Sequence, residues 1–224
     1  MELAEQRAKL GRMVNPVRGI IDATAAVFAM IGSGVLWFAG VDGLSRRASL
    51  AIFGITLVCL YTVSTLYHSV PWDRKWKHRM QRADHSMIYV LVAGSYTPFA
   101  VIVLSGWIQA VTLTVVWGIA VVGVAQKLFL PGLHNAWAIA MTTTQGWLAI
   151  FLLVPLAQKL PWQALFLMVI GGVLYTVGMV FLVTRRPRLW PRVFSHHEAM
   201  HVMVVAGSVC HFVVIARFLP PLAI

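Results

Sequence analysis

Seven stretches of this sequence run for about 20 residues almost without charge, each long enough to cross roughly 30 Å of hydrocarbon. They lie near 20–40, 49–70, 85–104, 107–126, 134–155, 162–184 and 197–219. Lipid offers no hydrogen-bond partner to a bare backbone, so a spanning segment must be a helix or part of a closed barrel. The runs are continuous instead of alternating, which excludes the barrel. The predicted fold is an all-α membrane protein with seven transmembrane helices. It forms one heptahelical domain over residues 1–224, since no linker is long enough to separate another. Composition agrees: the chain is 59% hydrophobic and 11% charged, where a soluble domain has about 45–50% apolar and about 25% charged residues.

The net charge of +11 sits in the connections. Bases at the ends of lipid-embedded spans make no continuous folded surface, so nucleic acid is excluded as a partner. Fourteen of the eighteen bases fall on the N-terminal segment and the second, fourth and sixth connections, including the cluster from Arg74 to Arg82. Arg46, Arg47, Lys159 and Arg217 take the other side. The positive-inside bias predicts a cytoplasmic N-terminus and an outside C-terminus, opposite to a heptahelical receptor of the G-protein class. Met1 to Arg12 is polar and lacks a small-residue cleavage site, so the first span is expected to be retained.

Once the connections are set aside, the remaining ionisable groups are Asp22, His68, Asp84, His197, Glu198, His201 and His211, with Ser64 nearby. An ionisable group inside a membrane is costly, which makes each a site candidate with a partner to be named. The second span runs inward, so His68 lies within a turn of the cytoplasmic end and Ser64, four residues earlier, shares its face. The third and seventh spans run outward from Asp84 and from His197 and His201. At about 1.5 Å per residue, these five residues fall in one layer roughly 10 Å thick.

Neutral imidazole is a zinc ligand, two histidines at i and i+4 can grip one ion, and a third leaves a tetrahedral position for water, the arrangement of catalytic zinc. Asp84 and Ser64 would then hold or orient that water. Any one of these histidines is more readily explained as a hydrogen-bonded residue of the bundle. The set, with its common depth, favours metal. Imidazole alone does not name the ion, because copper, iron and nickel also accept it.

These residues resemble a known family. Ser64-x-x-x-His68 at the end of the second span, Asp84 within Arg-Ala-Asp-His-Ser-Met-Ile-Tyr, the Ala-Gly-Ser-Tyr-Thr-Pro run from Ala93 to Pro98, and His197-Glu-Ala-Met-His201 look like the hemolysin III family. That family is the bacterial branch of the progestin and adipoQ receptors and is related to the alkaline ceramidases. The resemblance covers essentially the whole chain. It implies zinc held by His68, His197 and His201, Asp84 and Ser64 beside the water, a cytoplasmic N-terminus and a bacterial inner-membrane location.

His197-Glu198-x-x-His201 also spells the zinc-protease helix, in which the glutamate is general base. No acid follows Glu198 in the sequence, so the further aspartate motif of an intramembrane protease is missing. Glu198 is expected to pair with an arginine such as Arg192 or Arg82. Asp22 is expected to cap the first helix more readily than to reach the site. His85 points about 100° from Asp84 and is expected at the interface. His211 and Cys210 lie roughly 15 Å beyond His201, too far to share its ion. Cys59 and Cys210 are expected as buried free thiols, and His78 and His134 are assigned no role.

Gly32, Gly34, Gly171, Gly172 and the Ala-Gly-Ser runs at Ala93 and Ala206 supply small surfaces for close helix approach. Tryptophans near span ends read as interfacial anchors, and Pro98 should kink or end the third span. Two function classes follow. One is a lipid amide or ester hydrolase using zinc-activated water, with Asp84 shuttling the proton and Ser64 placing the water or the oxyanion. The other is a membrane-homeostasis factor or lipid-state sensor whose ion staples the second, third and seventh spans. Membrane lipids are the expected partners in both. Pore formation, which the hemolysin label implies, has least support because no separately inserting amphipathic segment is visible. A retinal pump is disfavoured, since the seventh span has no lysine.

Overall fold

The computed structural model describes residues 13–39, 42–130, 135–190 and 193–222. Among them the regular structure is helical, with no extended strand beyond a single bridge between Trp190 and Phe194. The helices are α1 (Pro16–Trp37), α2 (Leu44–Ser69), α3 (Arg74–Pro98), α4 (Gly106–Phe129), α5 (Asn135–Trp147), α6 (Leu153–Ala157), α7 (Trp162–Thr184) and α8 (His196–Phe218). A π-helical turn, Phe99–Val103, extends α3, and a 3-10 stretch, Leu148–Leu152, joins α5 to α6. Seven helical segments are thereby long and apolar enough to cross a membrane. The predicted breakers Pro131, Gly132 and Pro191, with His134, Arg192 and the N-terminal bases Arg7, Lys9 and Arg12, lie outside the described residues.

The expected spans are all present, and the third differs most at its start. Its helix opens at Arg74, eleven positions before the expected 85, so the basic cluster is helical and not a loop. The cause is local: the Asp73 side chain accepts from the Trp76 amide at 2.8 Å, a helix N-cap, and lysine and arginine are good helix formers. At the other end, Pro98 has no amide hydrogen to return to the preceding turn, and the chain relaxes into the π turn before Leu104 leaves the helix. Pro98 thus alters the helix without ending the span.

Small residues set several of the close approaches. Gly94 on α3 faces Thr56 on α2 with no room for a Cβ, and Gly32 on α1 lies against the Phe212 ring. Gly171 is used in the same way, whereas Gly34 and Gly172 face open space and make no such approach. Gln145, fully buried, donates from Nε2 to the carbonyls of Tyr89 at 3.2 Å and Val116 at 3.0 Å, tying α5 to α3 and α4. Trp37, Trp76, Trp107, Trp162 and Trp190 are exposed near span ends, as anchors in the interface should be. Cys210 is partly buried and Cys59 is exposed, which corrects the expectation of two buried thiols.

Candidate metal centre

His68 sits on the last turn of α2, and His197 and His201 on the first turns of α8. The start of α8 is well specified. Ser195 and Glu198 form a reciprocal capping box, with Glu198 Oε2 accepting from the Ser195 amide at 2.8 Å and from its hydroxyl at 3.1 Å. The i, i+4 spacing then puts His197 and His201 on one face, their rings stacked 5.1 Å apart. The His68 ring meets them edge-on at 5.3 and 4.9 Å. One ligand atom from each of the three lies within 4.8 Å of the others.

Asp22, on α1, organises this cluster. Its Oδ1 lies 3.0 Å from His201 Nδ1, and its Oδ2 accepts from Ser64 Oγ at 2.9 Å. A carboxylate can only accept, so His201 carries a proton on Nδ1 and a neutral ring leaves Nε2 as a lone pair. That Nε2 is buried and has no hydrogen-bond partner among the described residues. A satisfied core histidine would not leave such an atom. A nitrogen fixed by a carboxylate on one side and bare on the other is how a metal-binding imidazole is prepared. The residues present therefore fit a divalent metal.

The expectation that Asp22 caps α1 is overturned. Pro16 opens the helix, which places Asp22 in its second turn, beyond the reach of the free amides, and leaves it 1% exposed in the bundle. Glu198 does pair with an arginine, but with Arg18 of α1, at 2.7 Å from Nε to Oε1, with both side chains buried. Arg82 is instead 3.5 Å from the Leu128 carbonyl, and Arg192 lies outside the described residues. With one oxygen on Arg18 and the other on the Ser195 cap, Glu198 is committed to structure and is not placed as a protease base.

Asp84 opens the intramembrane part of α3, 8% exposed, with Ser64, His201 and Asp22 as its polar neighbours. These groups border a cavity of about 310 Å³ between α2, α3, α5, α7 and α8, whose lining is mostly but not wholly apolar. His85, one residue on from Asp84, lines this cavity too. Along α8 the lining runs from His197 to His211, fourteen positions or about 21 Å, more than half the hydrocarbon thickness. Ile150, Val169 and Val173 belong to the lining and are 51%, 50% and 48% exposed. The cavity is therefore open on the side of α7 and the 3-10 stretch that follows α5.

Sequence reading did not find the Arg18 and Asp22 pair as site supports. Their signal was present: an arginine and an aspartate about one turn apart in α1 can face Glu198 and His201, about one turn apart in α8, as an ion pair and a hydrogen bond. It also assigned no role to the polar group formed by Tyr61, Tyr175, Ser208 and His211, deeper in the same cavity.

A family model described as Haemolysin-III related matches residues 13–212. The chain is 35% identical over 164 residues to a hemolysin-3 homolog of Bacillus subtilis, covering 73% of this chain and 74% of the relative. It is 31% identical over 179 residues to hemolysin-3 of Bacillus cereus, covering 80% and 78%. A human protein named monocyte to macrophage differentiation factor is 24% identical over 195 residues, covering 85% and 78%. Match length, identity and the seven spans agree: this chain is a multi-pass cell-membrane protein that belongs to the haemolysin-III related family.

Proposed function

We propose that this protein is a zinc-dependent hydrolase of a lipid amide or ester, working at the cytoplasmic face of a bacterial cell membrane. The observation that carries the reading is the convergence of three imidazoles and a cavity-facing carboxylate, Asp84, at one end of a mostly apolar cavity that opens beside α7. A zinc ion, when bound there, supplies Lewis acidity and water activated near neutral pH. His68, His197 and His201 hold it, and Asp22 keeps the His201 ring in its Nδ1–H form. Asp84 takes the proton released as water attacks the carbonyl and returns it to the departing nitrogen or oxygen. Ser64 donates its hydroxyl hydrogen bond to Asp22, so its Oγ lone pairs remain to place the attacking water. The apolar lining holds the acyl chain and excludes bulk water.

The test is elemental analysis of the purified protein with and without His197→Ala, followed by lipid-hydrolysis assays and a lipidomic comparison of cells with and without the protein. Asp84→Ala should keep its metal and lose about 10²–10⁴-fold in turnover, the usual scale of general acid–base catalysis. Undiminished hydrolysis in that variant removes Asp84 from the reaction. A second reading, a membrane-homeostasis factor or lipid-state sensor with a structural zinc, draws support from the links that tie α1 to α8 around the site. Full metal occupancy with no lipid turnover in any assay would favour it.

A further inference from the structure

A second polar group in the cavity has no part in the proposed hydrolysis. Tyr61 Oη donates to Ser208 Oγ at 2.7 Å, and Tyr175 Oη lies 2.9 Å from the same oxygen. Three hydroxyls carry three protons and two bonds use two of them. One O–H proton is left on Ser208 or Tyr175, and neither makes a further hydrogen bond among the described residues. Beside them, His211 Nδ1 lies 2.9 Å from the Gly207 carbonyl and must be the donor, so a neutral ring keeps its lone pair on Nε2. Tyr61, Tyr175 and His211 all line the cavity. A spare donor and a spare acceptor thus stand next to each other in a mostly apolar passage, where the hydroxyls of Ser95, Thr142 and Thr176 are spent on carbonyls of their own helices.

The placement of these rings is specific. Tyr175 and His211 stack with centroids 5.4 Å apart, and each lies over a glycine of the opposite helix. A Cβ on Gly207 would come within 2.9 Å of Tyr175 Cε1, and one on Gly171 would overlap the His211 ring. Gly171 is four residues before Tyr175 and Gly207 four before His211, so α7 and α8 exchange rings reciprocally. From His201 to Ser208 and His211 is about 10 to 15 Å along α8 at 1.5 Å per residue.

A methylene chain satisfies neither group, whereas an aliphatic hydroxyl is donor and acceptor at once. We infer that Tyr61, Tyr175, Ser208 and His211 form a second subsite, selecting lipids that carry a hydroxyl on the chain about 10–15 Å from the carbonyl at the histidine cluster. This deepens the hydrolase reading and rests on it for what occupies the histidine end.

The experiment uses the purified full chain in nanodiscs and displacement of a fluorescent fatty acid by stearate or by a positional series of monohydroxystearates. Isomers with the hydroxyl near mid-chain should compete about five- to tenfold better than stearate, the scale of one or two net hydrogen bonds. Isomers with the hydroxyl beside the carboxylate should gain nothing. Tyr175→Phe and His211→Phe, which keep an aromatic ring at each position, should each lower the ratio of mid-chain hydroxystearate to stearate competition. Equal competition across the series overturns the subsite without reference to any variant, and so does a preference retained in the double variant. Lipid-amide turnover is measured separately. Preference without turnover sustains the subsite and removes the hydrolase, and turnover without preference does the reverse.

Discussion

Asp22 uses both carboxylate oxygens, one on His201 Nδ1 and one on Ser64 Oγ, and so fixes a ring from α8 and a hydroxyl from α2 at once. Asp22→Ala should weaken metal binding by about 10–100-fold, the usual cost of losing a carboxylate behind a histidine ligand. Competition against a chromophoric chelator measures this, and unchanged affinity would show that His201 needs no such support. The neighbouring Arg18 and Glu198 form a buried ion pair, where removal of one partner leaves the other charged and desolvated. Arg18→Ala should therefore destabilise the fold by about 3–5 kcal/mol, read as a lowered denaturation midpoint in detergent. At this scale the sequence was informative about candidates and poor about partners. His68, Asp84, His197 and His201 stand out because few ionisable groups occur within the spans. The partner of Asp22 was not legible, because capping or reaching the bundle depends on where α1 starts, and Pro16 starts it six residues earlier.

The first turns of α8 carry two of the three histidines, so the element that presents the site is also the one whose end must not fray. Ser195 and Glu198 satisfy the amides there, and the Arg18 pair holds the glutamate in place. Ser195→Ala should cost about 0.5–2 kcal/mol as a lost N-cap. It should also lower metal retention on dialysis, a change that a cap remote from the ligands would not produce. Retention equal to that of the parent protein would mean that ligand geometry is set elsewhere, by Asp22 and His68 alone. Hydropathy located the elements well because length and apolar character define a span. It failed at the start of α3, where Arg74 to Arg82 read as a connection although Asp73 caps a helix already under way. Charge marks where a helix leaves the hydrocarbon, not where the helix ends.

Across the whole molecule, the histidine cluster joins the end of α2 to the start of α8, two segments separated by more than half the chain. A metal held there adds a bridge that the unfolded chain lacks, and its effect on stability follows mass action. Free metal at about a thousand times the dissociation constant stabilises the folded state by about 4 kcal/mol. Chelator should therefore lower the thermal midpoint of the parent protein, and readded zinc should restore it. His68→Ala removes the only α2 ligand of the cluster, so its midpoint should lie near that of the chelated parent and respond little to either treatment. Asp84→Ala should respond as the parent does, because Asp84 is outside the three-histidine group. Measured together, the two variants separate bridging from chemistry. A parent protein that melts identically with and without chelator, although elemental analysis finds it loaded, would leave the ion no part in holding the bundle together.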